Sequence, residues 1–110
     1  MKVFLIGSTQ YEKKFQETKK QYEKWGHKVR LPSMDFHELN ELEITSKNLE
    51  NIQWADLVVV FWDGRSTGTV FDLGMVFALN KPLKIGYLEK KSLVEFVKQY
   101  EQKHICERRD

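Results

Sequence analysis

Apolar residues along this chain fall into two rhythms, short unbroken runs and longer stretches at helical spacing. The first run, Lys2 to Ile6, is apolar after its opening lysine and stops at Gly7-Ser8-Thr9. It predicts a strand buried on both faces, as in a parallel sheet. From Gln10 to Trp25, Phe15, Tyr22 and Trp25 recur at helical spacing with Thr18 on the same stripe, and Gly26 supplies the stop. His27 to Leu31 alternates polar and apolar side chains and meets Pro32, which suits a strand near a sheet edge. Residues 41 to 55 carry Leu42, Ile44, Leu49, Ile52 and Trp54 and predict a second helix, its start open by several residues. Asp56 to Trp62 is β-branched and aromatic after its first position, the pattern of a central strand. Val70 to Asn80 reads as a helix, ended by Lys81-Pro82 before a strand from Leu83 to Tyr87. Leu93, Val94, Phe96, Val97 and Tyr100 mark a last amphipathic helix.

Four strands alternating with four helices predict an α/β fold, a parallel sheet joined by right-handed crossovers. The expected strand order is 2-1-3-4, with a switch point between the first and third strands. Ligands of open α/β sheets bind there, outside the carboxyl ends of the strands. The 110 residues suit one domain spanning 1–110, with no linker, repeat or low-complexity segment.

Composition narrows the function classes. Apolar residues make up 41% and charged residues 31%, as in a folded domain. A net charge of +2, with scattered basic residues, is too small for binding DNA or RNA polymers. One cysteine, Cys106, excludes a disulfide framework within the chain. His27, His37 and His104 lack metal-ligand spacing and are expected at the surface, so neither metal nor cofactor is expected. Val3 to Ile6 is too short for a signal-peptide core, and no run approaches a membrane span. No membrane partner is therefore expected, and the default location is cytoplasmic.

Both glycine loops fall at the predicted switch point. In the first, Gly7 allows close backbone approach, Ser8 and Thr9 offer hydroxyls, and the next helix points its amides at the same space. This is either a phosphate cradle or a plain capped turn. The second, Asp63-Gly64-Arg65-Ser66-Thr67-Gly68-Thr69, is the expected ligand site, because a simple cap requires neither Arg65 nor Asp63. Arg65 suits a phosphate or carboxylate, and Asp63 suits sugar hydroxyls. Asp72, three residues after Thr69, either completes a capping box with Thr69 or stands over the pocket as a nucleophile for an anomeric carbon. Trp25, Trp54 and Trp62 are expected in the core or pocket wall, with Trp62 the best candidate to stack on a base.

The stretch Ala55 to Val60, continued through Gly68-Thr69-Val70-Phe71-Asp72-Leu73-Gly74 to Lys81-Pro82, resembles the nucleoside 2-deoxyribosyltransferase family. With Val3-Phe4-Leu5-Ile6-Gly7-Ser8 the likeness covers most of the chain up to Tyr87. Trp62 to Thr69 is also similar to the nucleotide-binding SLOG superfamily. The resemblance implies a Rossmann-like (flavodoxin-like) three-layer sandwich, a nucleoside or nucleotide ligand, and a homo-oligomer. The family's nucleophile is a glutamate at the position of Asp72, and this aspartate is one methylene shorter.

The expected site therefore comprises Asp72 as catalytic residue, with Gly7, Ser8, Thr9, Trp62, Asp63, Gly64, Arg65, Ser66, Gly68 and Thr69 binding the ligand. The expected activity is cleavage or transfer at an N-glycosidic bond. The alternative is a non-catalytic module that holds a nucleotide or an ADP-ribose-derived signal. The helix from Val70 to Leu79 is apolar nearly all round, either because the last helix covers it or because a second subunit does.

Overall fold

A computed structural model describes residues 1–32, 40–89 and 94–107. The strands are β1 (Lys2–Gly7), β2 (Lys28–Arg30), β3 (Leu57–Trp62) and β4 (Leu83–Leu88). The helices are α1 (Glu12–Lys24), α2 (Glu41–Trp54), α3 (Thr67–Ala78) and α4 (Val94–Glu107), with a 3₁₀ turn (Thr9–Tyr11) before α1. All pairings are parallel, in the expected order β2-β1-β3-β4.

The two-residue period of the strands divides the core. Phe4 and Ile6 of β1 and Val58, Val60 and Trp62 of β3 turn to one face, where Ile52 of α2, Leu73 and Val76 of α3, and Val97 and Tyr100 of α4 cover them. Val3 and Leu5 with Leu57, Val59 and Phe61 turn to the other, where Tyr11 and Phe15 cover them. This is the three-layer Rossmann-like sandwich, with α1 the one described α-helix on the second face. The unbroken runs in β1 and β3 mark strands covered on both faces.

Local signals account for most of the helix ends. Gly26 (φ 90°) closes α1 in a Schellman motif, with Gly26 N bonded to Glu23 O and His27 N to Tyr22 O. Asn40 and Glu43 form a reciprocal capping box that fixes the start of α2. Lys81 Nζ donates to Gln53 O and Ala55 O, covering carbonyls at the end of α2. Edge strand β4 sends the Ile85 N–H to the Glu101 carboxylate of α4.

Several expectations are corrected. Helix α3 begins at Thr67 rather than Val70, and α4 continues past Tyr100 to Glu107. Helix α1 begins at Glu12, because residues 9–11 form the 3₁₀ turn. His104 is buried, its Nδ1 at 3.1 Å from Tyr100 O and its Nε2 at 3.2 Å from Asn80 Oδ1. Its spacing from Val97 and Tyr100 puts it on the covered face of α4. Trp25 is neither core nor pocket wall but 60% exposed, edge-on to Tyr22. The expectations for His37 and Leu93 lie outside the described residues.

Candidate functional site

The loops after β1 and β3 and the facing surfaces of α2 and α3 enclose a cleft of about 470 Å³. It lies where β1 pairs with β3 and the chain turns to β2 on one side and β4 on the other, the switch point of the sheet.

Gly7 sets the floor. Its φ is 153°, and a Cβ there would stand 2.1 Å from Phe61 O, so no other residue allows β1 and β3 to approach this closely. Ser8 N donates to Phe61 O at 3.1 Å, which turns the chain away from the sheet. Ser8, Thr9 and Gln10 then line the cleft.

The loop after β3 is organised by its own first residue. Asp63 Oδ1 accepts from Arg65 N and Ser66 N, both at 2.8 Å, and Gly64 takes the left-handed φ of 78° that the turn needs. These two backbone hydrogen bonds hold the Asp63 carboxyl below its ordinary pKa of 3.8. Ser66 caps α3, its Oγ accepting from Thr69 N at 3.5 Å and from Thr69 Oγ1 at 3.2 Å. The capping box between Thr69 and Asp72, one of the two readings open for Asp72, does not form, because the cap lies three residues earlier and Thr69 is already helical.

Asp72 therefore sits in the body of α3, one turn in, facing the cleft and 8% exposed. Its nearest hydrogen-bond partner comes from α2. Asn48 Nδ2 lies 3.5 Å from Oδ1 and 3.4 Å from Oδ2 of Asp72. Burial pushes the Asp72 carboxyl up to about 6, and the Asn48 amide pulls the other way. A carboxyl in a cleft, titrating near neutrality, is suited to acid, base or nucleophile chemistry.

Of the residues expected from sequence, Gly7, Ser8, Thr9, Asp63, Ser66, Gly68, Thr69 and Asp72 line this one cleft. Trp62, Gly64 and Arg65 do not. Trp62 is fully buried, because strand alternation sends it with Val58 and Val60 into the core beneath α3. Its indole Nε1 donates to Ser66 O at 3.3 Å, so it braces the loop and offers no face to a base. Gly64 is buried within the turn, and the Arg65 side chain is exposed outside the cleft.

Sequence reasoning missed the α2 wall. Glu41, Thr45 and Asn48, spaced i, i+4 and i+7, line the cleft with Ile44, and only this polar stripe on a helix could have marked it. It also missed Phe71, the aromatic ring among the described lining residues, which is 61% exposed. Three carboxylates, Glu41, Asp63 and Asp72, line the cleft, and no Lys, Arg or His does among the described residues. Among those residues no group of three or more His, Cys, Asp or Glu is placed to hold a metal. No helix among them is long and apolar enough to cross a membrane.

No curated protein matches the chain at significance. A family model described as nucleoside 2-deoxyribosyltransferase matches residues 3–104, reaching from β1 into α4 and covering both loops, the α2 wall and Asp72. The chain belongs to the nucleoside 2-deoxyribosyltransferase family.

Proposed function

We propose that the chain binds a nucleoside in this cleft and cleaves or transfers at its N-glycosidic bond, with Asp72 as nucleophile. The observation that carries the reading is a buried carboxyl, titrating near 6, on the wall of the switch-point cleft. At neutral pH it is mostly ionised yet poorly hydrated, which favours attack on carbon. The carboxylate forms a bond to C1′ as the bond from C1′ to the base nitrogen breaks. The leaving base takes the electron pair and a proton from water, and the water or base that enters in the second step gives up its own O–H or N–H proton. Water or a second base then displaces the carboxylate from C1′.

The surroundings support a nucleoside over its phosphates. Three carboxylates and no cation among the described lining residues repel an added phosphate. Phe71 is the ring on which a base can stack, adjoining Asp72 on α3.

Incubation with ribo- and deoxynucleosides and their monophosphates, followed by chromatography of released base, tests the proposal. Base is expected from nucleosides more readily than from monophosphates, and Asp72→Ala is expected to lower release on the order of a thousandfold or more. No release from any nucleoside by the intact chain would sink the enzymatic reading. A thermal shift with nucleoside recovered intact would then point to a module that only holds its ligand.

A further inference from the structure

Among the described residues, two buried side-chain oxygens lack a hydrogen-bond partner, Ser8 Oγ and Asn48 Oδ1, and both residues line the cleft. The Asn48 case is the more informative. This side chain is 8% exposed on α2, and its Nδ2 reaches both oxygens of Asp72 on α3. Its other end is a stranded acceptor. A leucine of similar volume fills the same space without a stranded acceptor of its own but takes the donor away from the Asp72 carboxyl, so packing alone does not account for an amide here.

We propose that Asn48 is the positioning residue for Asp72, a donor held by α2 that fixes the orientation in which the carboxylate meets a ligand in the cleft. The two helices bring the pair together from positions 24 residues apart in sequence. Among the described residues, no other side chain of the cleft is within hydrogen-bond distance of the Asp72 carboxyl. The β1 loop contributes Ser8, Thr9 and Gln10, none of them charged, while Glu41 from α2 and Asp63 from the tip of β3 are themselves acidic. The amide also suits both forms of its partner. It donates through Nδ2 to the carboxylate, and by reversing it accepts through Oδ1 from the protonated carboxyl. Neither leucine nor lysine can do both.

The inference rests on the nucleophile reading only where kinetics are concerned, and its test has an arm that needs no turnover. The protein is labelled with ¹³C-aspartate, and the Asp72 carboxyl resonance is identified by its loss in Asp72→Asn. Asn48→Leu keeps the volume without the donor, and Asn48→Asp keeps the shape but adds a second acid. Both are expected to move the Asp72 titration upward, the first by removing the hydrogen bond to the carboxylate and the second by making two carboxyls share a proton. In Asn48→Leu, kcat for base release is expected to fall about tenfold at pH 6, with KM within about threefold, and to recover as pH rises.

An amide with a structural role alone would lower stability in both variants and leave the Asp72 titration where it was. That result, in whichever variant folds, overturns the proposal. If the intact chain releases no base, the titration decides the role of Asn48 by itself, so this inference and the enzymatic reading fail separately.

Discussion

Asp72 makes the stability of this protein depend on pH in a direction opposite to that of most carboxylates. Its carboxyl ionises near 3.8 in an unfolded chain and near 6 when folded. Below about pH 4 both states hold the proton, and burial costs little. Between pH 4 and 6 the unfolded chain gives up its proton first, which favours unfolding. Above 6 the fold carries a buried carboxylate at a cost of about 3 kcal/mol, taking roughly 1.4 kcal/mol per pH unit. Asp72→Asn is therefore expected to be more stable than the natural chain at pH 7 by up to this amount, with the advantage gone near pH 4. Urea denaturation at the two pH values checks it, and a constant difference would contradict it. Asp63 acts in the opposite sense and in another window. Its folded pKa lies below 3.8, so its contribution is present above that value and is lost as pH falls through the folded pKa. A residue that weakens the fold under working conditions is consistent with selection for chemistry rather than packing.

At the level of elements, the wall of the cleft depends on how α2 is held. Its start is fixed locally by Asn40 and Glu43, but its last turn carries no basic residue. Lys81, from the connection between α3 and β4, supplies the missing donor to Gln53 O and Ala55 O. Lys81→Met keeps the aliphatic stem and loses both bonds. It is expected to cost about 1 kcal/mol, or roughly 4–8 °C in Tm for a domain of this size. Thermal denaturation checks this, and an unchanged Tm would show that water replaces the lysine without loss. The start of α3 shows why helix ends are only partly legible. Ser66 and Thr69 are both hydroxylic and three residues apart, and local chemistry allows either as cap. The choice falls on Ser66 because Asp63 bonds its backbone N–H and Trp62, buried from β3, bonds its carbonyl oxygen. Both anchors depend on how the strand sits in the sheet.

Over the whole molecule, α3 leaves apolar surface that the other described residues do not cover. Phe77 is 55% exposed and Phe96 is also exposed, and both line an apolar depression of about 210 Å³ with Val70, Leu73, Gly74 and Val97. We propose that a second copy of the chain covers this face. Sedimentation velocity is expected to give a multiple of the monomer mass, and Phe77→Glu is expected to shift it toward monomer by burying an unpaired charge. A chain that sediments as a monomer at all concentrations would refute it. The covering of α3 is thus not completed by α4, although Phe77 meets the rings of Phe96 and Tyr100.

By itself, the sequence determined the strands, their parallel order, the switch point and the two loops. The strands and loops follow from hydrophobic period and from glycines at strand ends, which are local properties of the chain, and the parallel pairing follows from the alternation of strands with helices. It also determined that Asp72 would be either a cap or a pocket acid. Only the tertiary structure ruled out the cap, because the cap falls on Ser66, where the buried strand end anchors it; Asp72 is left inside α3 on the wall of the cleft, where the crossing of α2 and α3 brings Asn48 to its carboxylate. The same holds for Trp62 and Arg65, which belong to the expected loop in sequence but leave the cleft in space. Strand alternation turns the first inward, and the Asp63 turn leaves the second outside. Whether a side chain at a strand tip faces ligand, core or solvent is fixed by what packs above it, and that is a property of the assembled layers.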